Sequence, residues 1–427
     1  MSLRTIITNL KKLNRRRLLM FLALMGPGLI TANADNDAGG IATYAIAGAQ
    51  EGYGLLWLLL LITFNLAVVQ EMVARMGVVT GKGLADLIRE RFGVRLTFFC
   101  MVLLIVANLT CTIAEFAGVA ASMELFGISK LISVPLGAAF VWFLVVKGNY
   151  KKVERVFLFF CLIYFTYVVS GFIASPPWGH VMKSMVTPSF KMTPSYINLA
   201  IALIGTTITP WMQFFLQSAV ADKGVKIEEY GYTKAEVFFG AFFTDFIAFF
   251  IIVATASELY THGISISSAN DAALALKPLA GNFAYMLFAL GLLNASLMAA
   301  SILPLSTAYA VSEAFGWESG MDRNFDDAPQ FFGLYTGFII IGAGVIMLPG
   351  IPLIQIMLIS QTVNGILLPV ILVFMLILIN DKEIMGEHTN GPAFNAVAWG
   401  TALALIIMTV LLIITTIFPE FFARFSF

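Results

Sequence analysis

The residues best equipped for chemistry stand at 31 to 40, TANADNDAGG. This run sets two acids (Asp35, Asp37), two amides (Asn33, Asn36) and two glycines inside an apolar stretch from about 18 to 48. A charge in hydrocarbon is costly unless it is paired or wetted, and helical backbone that breaks at that depth must line a cavity rather than face lipid. The flanks FLALMGPGLI and IATYAIAGAQ are each too short to cross a bilayer, and together they make one interrupted span. Asp35 and Asp37 therefore read as a binding site rather than as a loop between two half-length segments.

A second interruption lies in IALIGTTITPWMQFFLQS, residues 201 to 218, where Thr209-Pro210 follows Gly205-Thr206-Thr207. Proline removes a backbone donor and blocks the bond to the preceding turn, so the carbonyls near Thr206 and Thr207 need other partners. A bound cation would serve; so would threonine hydroxyls at a simple kink. Position favours the cation, because broken helices at matching places of an inverted repeat mark the central site of secondary transporters.

The elements that position these residues follow from composition. Hydrophobic residues make up 59% of the 427 and charged ones 12%, with mean hydropathy +0.89; a soluble domain carries about 25% charged residues. The chain reads as an all-α polytopic membrane protein. Eleven apolar stretches reach bilayer length, near 18–48, 54–77, 96–126, 129–147, 156–175, 194–221, 236–258, 280–314, 328–348, 350–379 and 394–418. The two interruptions fall in spans 1 and 6, corresponding places in two five-span halves, 18–175 and 194–379, with 394–418 as an added span. Residues 1–17, with KKLNRRR, read as a cytoplasmic anchor rather than a cleaved signal.

Placing the N-terminus inside puts 20 of the 25 Lys and Arg on the cytoplasmic side and leaves Lys130, Lys183, Lys191, Lys277 and Arg424 outside. That asymmetry supports both the span count and an outside C-terminus in a multi-pass cell-membrane protein. Cys100, Cys111 and Cys161 lie in apolar segments without CxxC spacing, and His180, His262 and His388 sit in loops, so neither a disulfide framework nor a zinc site is indicated. No nucleotide-binding loop, nucleophile with a base or nucleic-acid patch is present, which leaves enzyme classes unsupported; no cofactor and no obligatory protein partner is indicated, and the bilayer is the expected surrounding.

The segments GPGLITANADNDAGGIATYAIAGAQ, QEMVARMGVVTGKGLADLIRERFG, AEFAGVAASMELFG, IGTTITPWMQFFLQSA, LISQTVNGILLPVIL and NDKEIMG together resemble the Nramp family of divalent metal transporters, over nearly the whole chain. The resemblance implies a LeuT-like fold of eleven spans in a 5+5 inverted repeat, with a divalent metal ion as transported substrate held between broken helices 1 and 6. In that family span 1 carries Asp-Pro-Gly-Asn and span 6 Met-Pro-His. Here Asp37 matches the aspartate, Ala38 replaces the proline, Gly40 the asparagine, Thr209 the methionine and Trp211 the histidine. Gln361 matches a span-10 glutamine that approaches the metal. Thr112 replaces the aspartate of the span-3 proton pair while Glu115 is kept, and span 9 lacks the family's arginine.

These departures have a chemical direction. Thioether sulfur selects soft ions, whereas carboxylate, carbonyl and hydroxyl oxygens suit magnesium, calcium and manganese. Exchanging methionine for Thr209 removes the soft ligand, and a wall widened at Gly40 suits a partly hydrated ion. The pattern is similar to the Nramp-related magnesium transporters. The expected metal residues are Asp37, Asp35, Thr206, Thr209, Gln361 and Gly40, and the expected activity is uptake of magnesium or manganese by alternating access without proton coupling.

An organic-solute carrier of the same fold is the alternative, since Gly39-Gly40 leaves span-1 amides bare. Glu71 and Arg75 read as an i,i+4 pair near the cytoplasmic boundary. Asp245 either faces the aqueous path or is a protonated acid bonded to Thr244 or span-3 groups; Glu115 reads as a vestigial relay or a structural acid; Asn33 and Asn36 read as orienting the acids.

Overall fold

A computed structural model describes residues 36–147, 161–320 and 323–417, and among these the regular structure is helical throughout. The principal helices are α1 (Ala38–Glu51), α2 (Leu56–Thr80), α3 (Leu84–Glu124), α4 (Lys130–Val146), α5 (Phe165–Ile173), α6 (Pro194–Thr207), α7 (Pro210–Asp222), α8 (Tyr230–Thr255), α9 (Ala284–Phe315), α10 (Pro329–Met347), α11 (Leu353–Ile379) and α12 (Pro392–Ile417). Eight stretches among the described residues are long and apolar enough to cross a bilayer, counting α6 and α7 as one; α4 is shorter, at 17 residues. Spans 1 and 5 are described only in part, and Asp35, Asn33 and residues 1–17 lie outside the described residues.

Local sequence accounts for the breaks that matter. α3 is 41 residues long because two helices meet at Gly93, whose φ of 74° and ψ of 173° are open to glycine alone. The polar segment from Leu84 to Phe92 thus turns out of line before the apolar span begins. In span 6 the interruption is a full break rather than a kink. Ile208 (φ −118°, ψ 71°) leaves the helix, Thr209 (φ −73°, ψ 142°) is extended, and Pro210 starts α7 at a position where its missing N–H costs nothing.

Burial separates centre from periphery. The α6–α7 pair is 94% buried over its apolar window and α12 only 22%, so the broken helix is the hub and the added span an outlier. α3 packs on α9 and α11, α6 on α11, and α2 on α8, while α7 wedges against α3 and α9. Large apolar side chains such as Phe98, Leu136, Phe143 and Ile340 stand exposed on the outside. A surface of that kind is built for hydrocarbon.

The Glu71–Arg75 pair is present at 3.2 Å, with Glu71 buried, and it holds more than one helix turn. The Tyr230 hydroxyl donates to Glu71, while Arg75 donates to the carbonyls of His388 (3.1 Å) and Thr389 (3.2 Å) and to Asn390 Oδ1. One ion pair therefore ties α2 to the start of α8 and to the segment preceding α12. Glu71→Ala leaves Tyr230 without this acceptor and Arg75 without its counter-charge and is expected to cost about 3 kcal/mol. Glu71→Gln keeps an acceptor and should cost less; thermal unfolding of the two variants in detergent checks the order.

Candidate functional site

The first half of the site is a helix start. Asp37 is extended (φ −73°, ψ −179°) and caps α1, accepting the Gly40 N–H on Oδ1 at 2.6 Å. Its residue is 1% exposed, so a carboxylate is held deep in the bundle at the positive end of a helix. Gly40 serves the site through its amide, which holds that carboxylate.

The second half is the α6–α7 break. At the end of α6 the Ile204 carbonyl accepts the Ile208 N–H at 2.8 Å, and the carbonyls after it lose their i+4 partners as the chain leaves the helix. Thr209 occupies the cap position of α7 without making a capping bond, and its hydroxyl has no partner. The Thr206 hydroxyl is likewise buried and unpartnered, whereas Thr207 is bonded to the Leu203 carbonyl (2.9 Å) and to Tyr44 Oη (3.0 Å). Of the GTT run, Thr206 is thus the hydroxyl left open.

α11 closes the site from a third direction. A Cβ added at Gly39 would lie 1.9 Å from Gln361 Nε2, and one at Gly205 would lie 2.2 Å from the Gln361 carbonyl oxygen. These two glycines let α1 and α6 close on Gln361 from either side, and its Nε2 is buried there without a hydrogen-bond partner. Gln361 Oε1 is taken up by Asn364 Nδ2 (2.9 Å), which is also 3.0 Å from Cys111 Sγ. In this conformation Gln361 therefore turns a donor toward the site, and a metal contact from its oxygen requires the amide to rotate.

Glu115 is the residue whose place the sequence leaves undetermined. Its Oε2 accepts the Ala38 N–H at 3.2 Å, its Oε1 is unpartnered, and its carboxyl is within hydrogen-bonding reach of Asp37. Two carboxyls that close, both buried, call for a bound cation or a shared proton between them. Thr112, one turn away, is committed to the Asn108 carbonyl at 2.8 Å.

Two expectations are corrected. Asn36 does not orient the acids: its amide donates to Thr244 Oγ1 at 2.9 Å, and its carbonyl accepts from Tyr164. Asp245 makes no hydrogen bond to Thr244. Both its oxygens are unpartnered, and it lines an apolar cavity of about 320 Å³ with Trp178 and Phe246. The nearby hydroxyls are already engaged, Thr244 by Asn36 and Thr63 by the Leu59 carbonyl (2.8 Å). Among the described residues no three His, Cys, Asp or Glu side chains converge. The buried polar groups on the two helix ends that flank Gln361 are oxygens: the Asp37 carboxyl at the start of α1 and the unpartnered Thr206 and Thr209 hydroxyls at the α6–α7 break.

A buried polar centre between interrupted helices, in a helical bundle with an apolar exterior, defines a multi-pass carrier rather than an enzyme. The comparisons agree in fold. The chain is similar to the manganese transporter of Eremococcus coleocola (TM-score 0.73, 21% identity, covering 92% of this chain and 86% of that one). It is also similar to MhsT in complex with L-phenylalanine (TM-score 0.62, 14% identity, 91% and 98%) and to Mhp1, a nucleobase-cation-symport-1 family transporter with bromovinylhydantoin bound (TM-score 0.57, 13% identity, 91% and 90%). The model of the Nramp family, natural resistance-associated macrophage protein-like, matches residues 28–415, and the chain belongs to that family.

Proposed function

We propose that this protein carries a hard divalent cation, magnesium or manganese, into the cell by alternating access and without proton co-movement. The carrying observation is the donor set. Asp37, Thr206 and Thr209 present oxygen only, the last two unpartnered, and Cys111 Sγ, the sulfur beside the site, accepts from Asn364. Oxygen donors with at most two carboxylates suit an ion that keeps several of its waters.

The fold alone does not choose the cargo, since structures similar to this one hold an amino acid or a hydantoin. Neighbouring carboxyls at Asp37 and Glu115 support a cation, since they attract positive charge and repel a substrate carboxylate.

In the mechanism, the bundle bearing spans 1 and 6 rocks against the remaining spans of the two halves, 18–175 and 194–379, and exposes Asp37 to one side at a time. With the N-terminus cytoplasmic and the C-terminus outside, an inside-negative potential drives a divalent ion inward with about 4.6 kcal/mol per 100 mV, twice the single-charge value. Accumulation then needs no second gradient.

Ligand softness supplies the test. In liposomes holding the purified protein, magnesium and manganese should enter, amino acids should not, and cadmium should compete poorly. Thr209→Met returns a thioether to the break and should strengthen cadmium competition about tenfold, the order of one added soft contact. Tighter competition by cadmium than by manganese in the unaltered protein would refute the hard-ion assignment.

A further inference from the structure

α8 carries a buried acid that the central site does not use. Thr244 is engaged by Asn36 (2.9 Å), and Asp245, one residue on and about 100° round the helix, lines the cavity of about 320 Å³. Three helices build the wall. α8 gives Asp245, Phe246, Phe249 and Phe250, the spacing of one helix face, α2 gives three leucines and Thr63, and the short helix Trp178–Val186 gives Trp178 and two methionines. Asp245 is 3% exposed, and neither of its carboxyl oxygens has a hydrogen-bond partner. Thr63 spends its proton on the Leu59 carbonyl (2.8 Å), and no lysine, arginine or histidine is among the described residues that line the cavity. An acid so placed either stays protonated or takes its counter-charge from a ligand.

The wall selects the ligand. A hard divalent ion wants about six oxygens around it, and this cavity offers one carboxyl and one hydroxyl already engaged. The remainder is apolar and aromatic. Phe250 is buried at the hub of the rings, with centroids 5.0 Å from Phe246, 5.1 Å from Phe249 and 6.4 Å from Trp178, so the ring cluster is packed in place. One carboxylate among ring faces and aliphatic side chains is the chemistry that holds an organic ammonium: the charge meets Asp245 and the ring faces, and the apolar body meets leucine and methionine. The volume lies at the lower end of small-molecule sites, which begin at about 300 Å³, and suits a single ring on a short chain. Phe242, Phe246 and Met182 on the wall are exposed on the exterior of the bundle, so the cavity opens on the flank that faces hydrocarbon. Asp245 stands midway between Tyr230 and Tyr260, roughly 20 Å of helix rise from each, which is too deep for a lipid headgroup.

We propose that the cavity between α2, α8 and the helix Trp178–Val186 binds a membrane-partitioning organic ammonium ion, with Asp245 as its counter-charge and Trp178, Phe246 and Phe249 as its aromatic wall. The ligand enters from the bilayer and is an amine that itself dissolves there.

Calorimetric titration of the purified full-length protein in detergent with 4-phenylbutylamine at neutral pH, referenced to empty micelles, tests it. One molecule should bind per chain, and the uncharged 4-phenylbutanol should bind at least tenfold more weakly. Asp245→Asn should weaken the amine about a hundredfold, the order of losing one partner of a buried charge pair, and bring it to the level of the alcohol. Phe249→Ala keeps the carboxyl and should weaken the amine about tenfold. Asp37→Asn should leave amine binding unchanged. Should Asp245→Asn not fold, Phe249→Ala and the comparison with the alcohol decide without it. Absence of amine binding overturns the site, as does equal binding of amine and alcohol that survives Asp245→Asn, which marks an apolar crevice beside a protonated acid. Amine binding lost in Asp37→Asn and kept in Asp245→Asn places the amine at the helix break and overturns it as well.

Discussion

Asp37→Asn is expected to reduce divalent-cation uptake about a thousandfold while leaving the protein folded. Two unit charges 4 Å apart interact by about 4 kcal/mol at an effective dielectric near 20, which is close to three decades of affinity. Among the described residues the neighbouring carboxyl is Glu115, which has committed Oε2 to the Ala38 N–H at 3.2 Å and keeps only Oε1 open. The choice of asparagine matters. Asp37 caps α1 through the Gly40 N–H, so alanine removes a charge and a cap together and costs about 1 kcal/mol of stability besides. Asparagine caps as well and isolates the charge. The measurements are uptake in liposomes and elution as a single folded species in detergent. Uptake by Asp37→Asn within tenfold of the unaltered protein would refute a metal site at the helix break.

The sequence made the architecture legible because membrane folds are written in coarse terms. Apolar stretches of bilayer length locate helices without any need for side-chain detail, and a proline after threonines in one of them marks the only kind of backbone break hydrocarbon tolerates. The span-6 interruption fell where the helices part, between Thr207 and Pro210. Asp37 was legible for the same reason: acid, break and glycines coincide. What escaped the sequence depends on which neighbour reaches a polar group first. Thr206 and Thr207 are adjacent and alike, yet Tyr44 and the Leu203 carbonyl engage Thr207 and leave Thr206 open. Asn36 was legible as polar at the break, but its partner, Thr244, is 208 residues away. Asp245 lines an apolar cavity while Thr244 accepts from Asn36 and Thr63 donates to the Leu59 carbonyl, pairings that no local pattern encodes. Glu71 shows the converse case. Its i,i+4 arginine was evident, while the tyrosine and the carbonyls that make the pair an anchor come from the start of α8 and the segment before α12.

Metal entry driven by an imposed inside-negative potential should proceed without acidification of the liposome lumen. The central carboxyls are well placed to exchange a proton for a cation, since Asp37 and Glu115 are within hydrogen-bonding reach of one another. Local exchange is not co-transport, however. A relay needs titratable groups within reach of each other, directly or through one water, all the way to a surface. Beyond Glu115 on α3 the next polar group, Thr112, spends its hydroxyl on the Asn108 carbonyl, and Asn108 donates to Thr307 at 2.7 Å. α10 contributes no acid, lysine, arginine or histidine from Pro329 to Met347, and its Tyr335 donates its hydroxyl to the Val141 carbonyl at 3.2 Å. Asp245, the remaining acid at mid-span on α8, opens on an apolar cavity lined by Phe246, Phe249 and Phe250. Among the described residues a proton released at Asp37 by an arriving cation therefore has no continuous chain of titratable groups to follow inward, and is expected to return by the side from which the ion came. A pH-sensitive dye sealed in the lumen should stay constant while a metal-sensitive dye responds, and Glu115→Gln should change the pH dependence of uptake without changing its electrical driving force. Metal-dependent acidification of the lumen that vanishes in Glu115→Gln would show a relay through this dyad and overturn uncoupled transport.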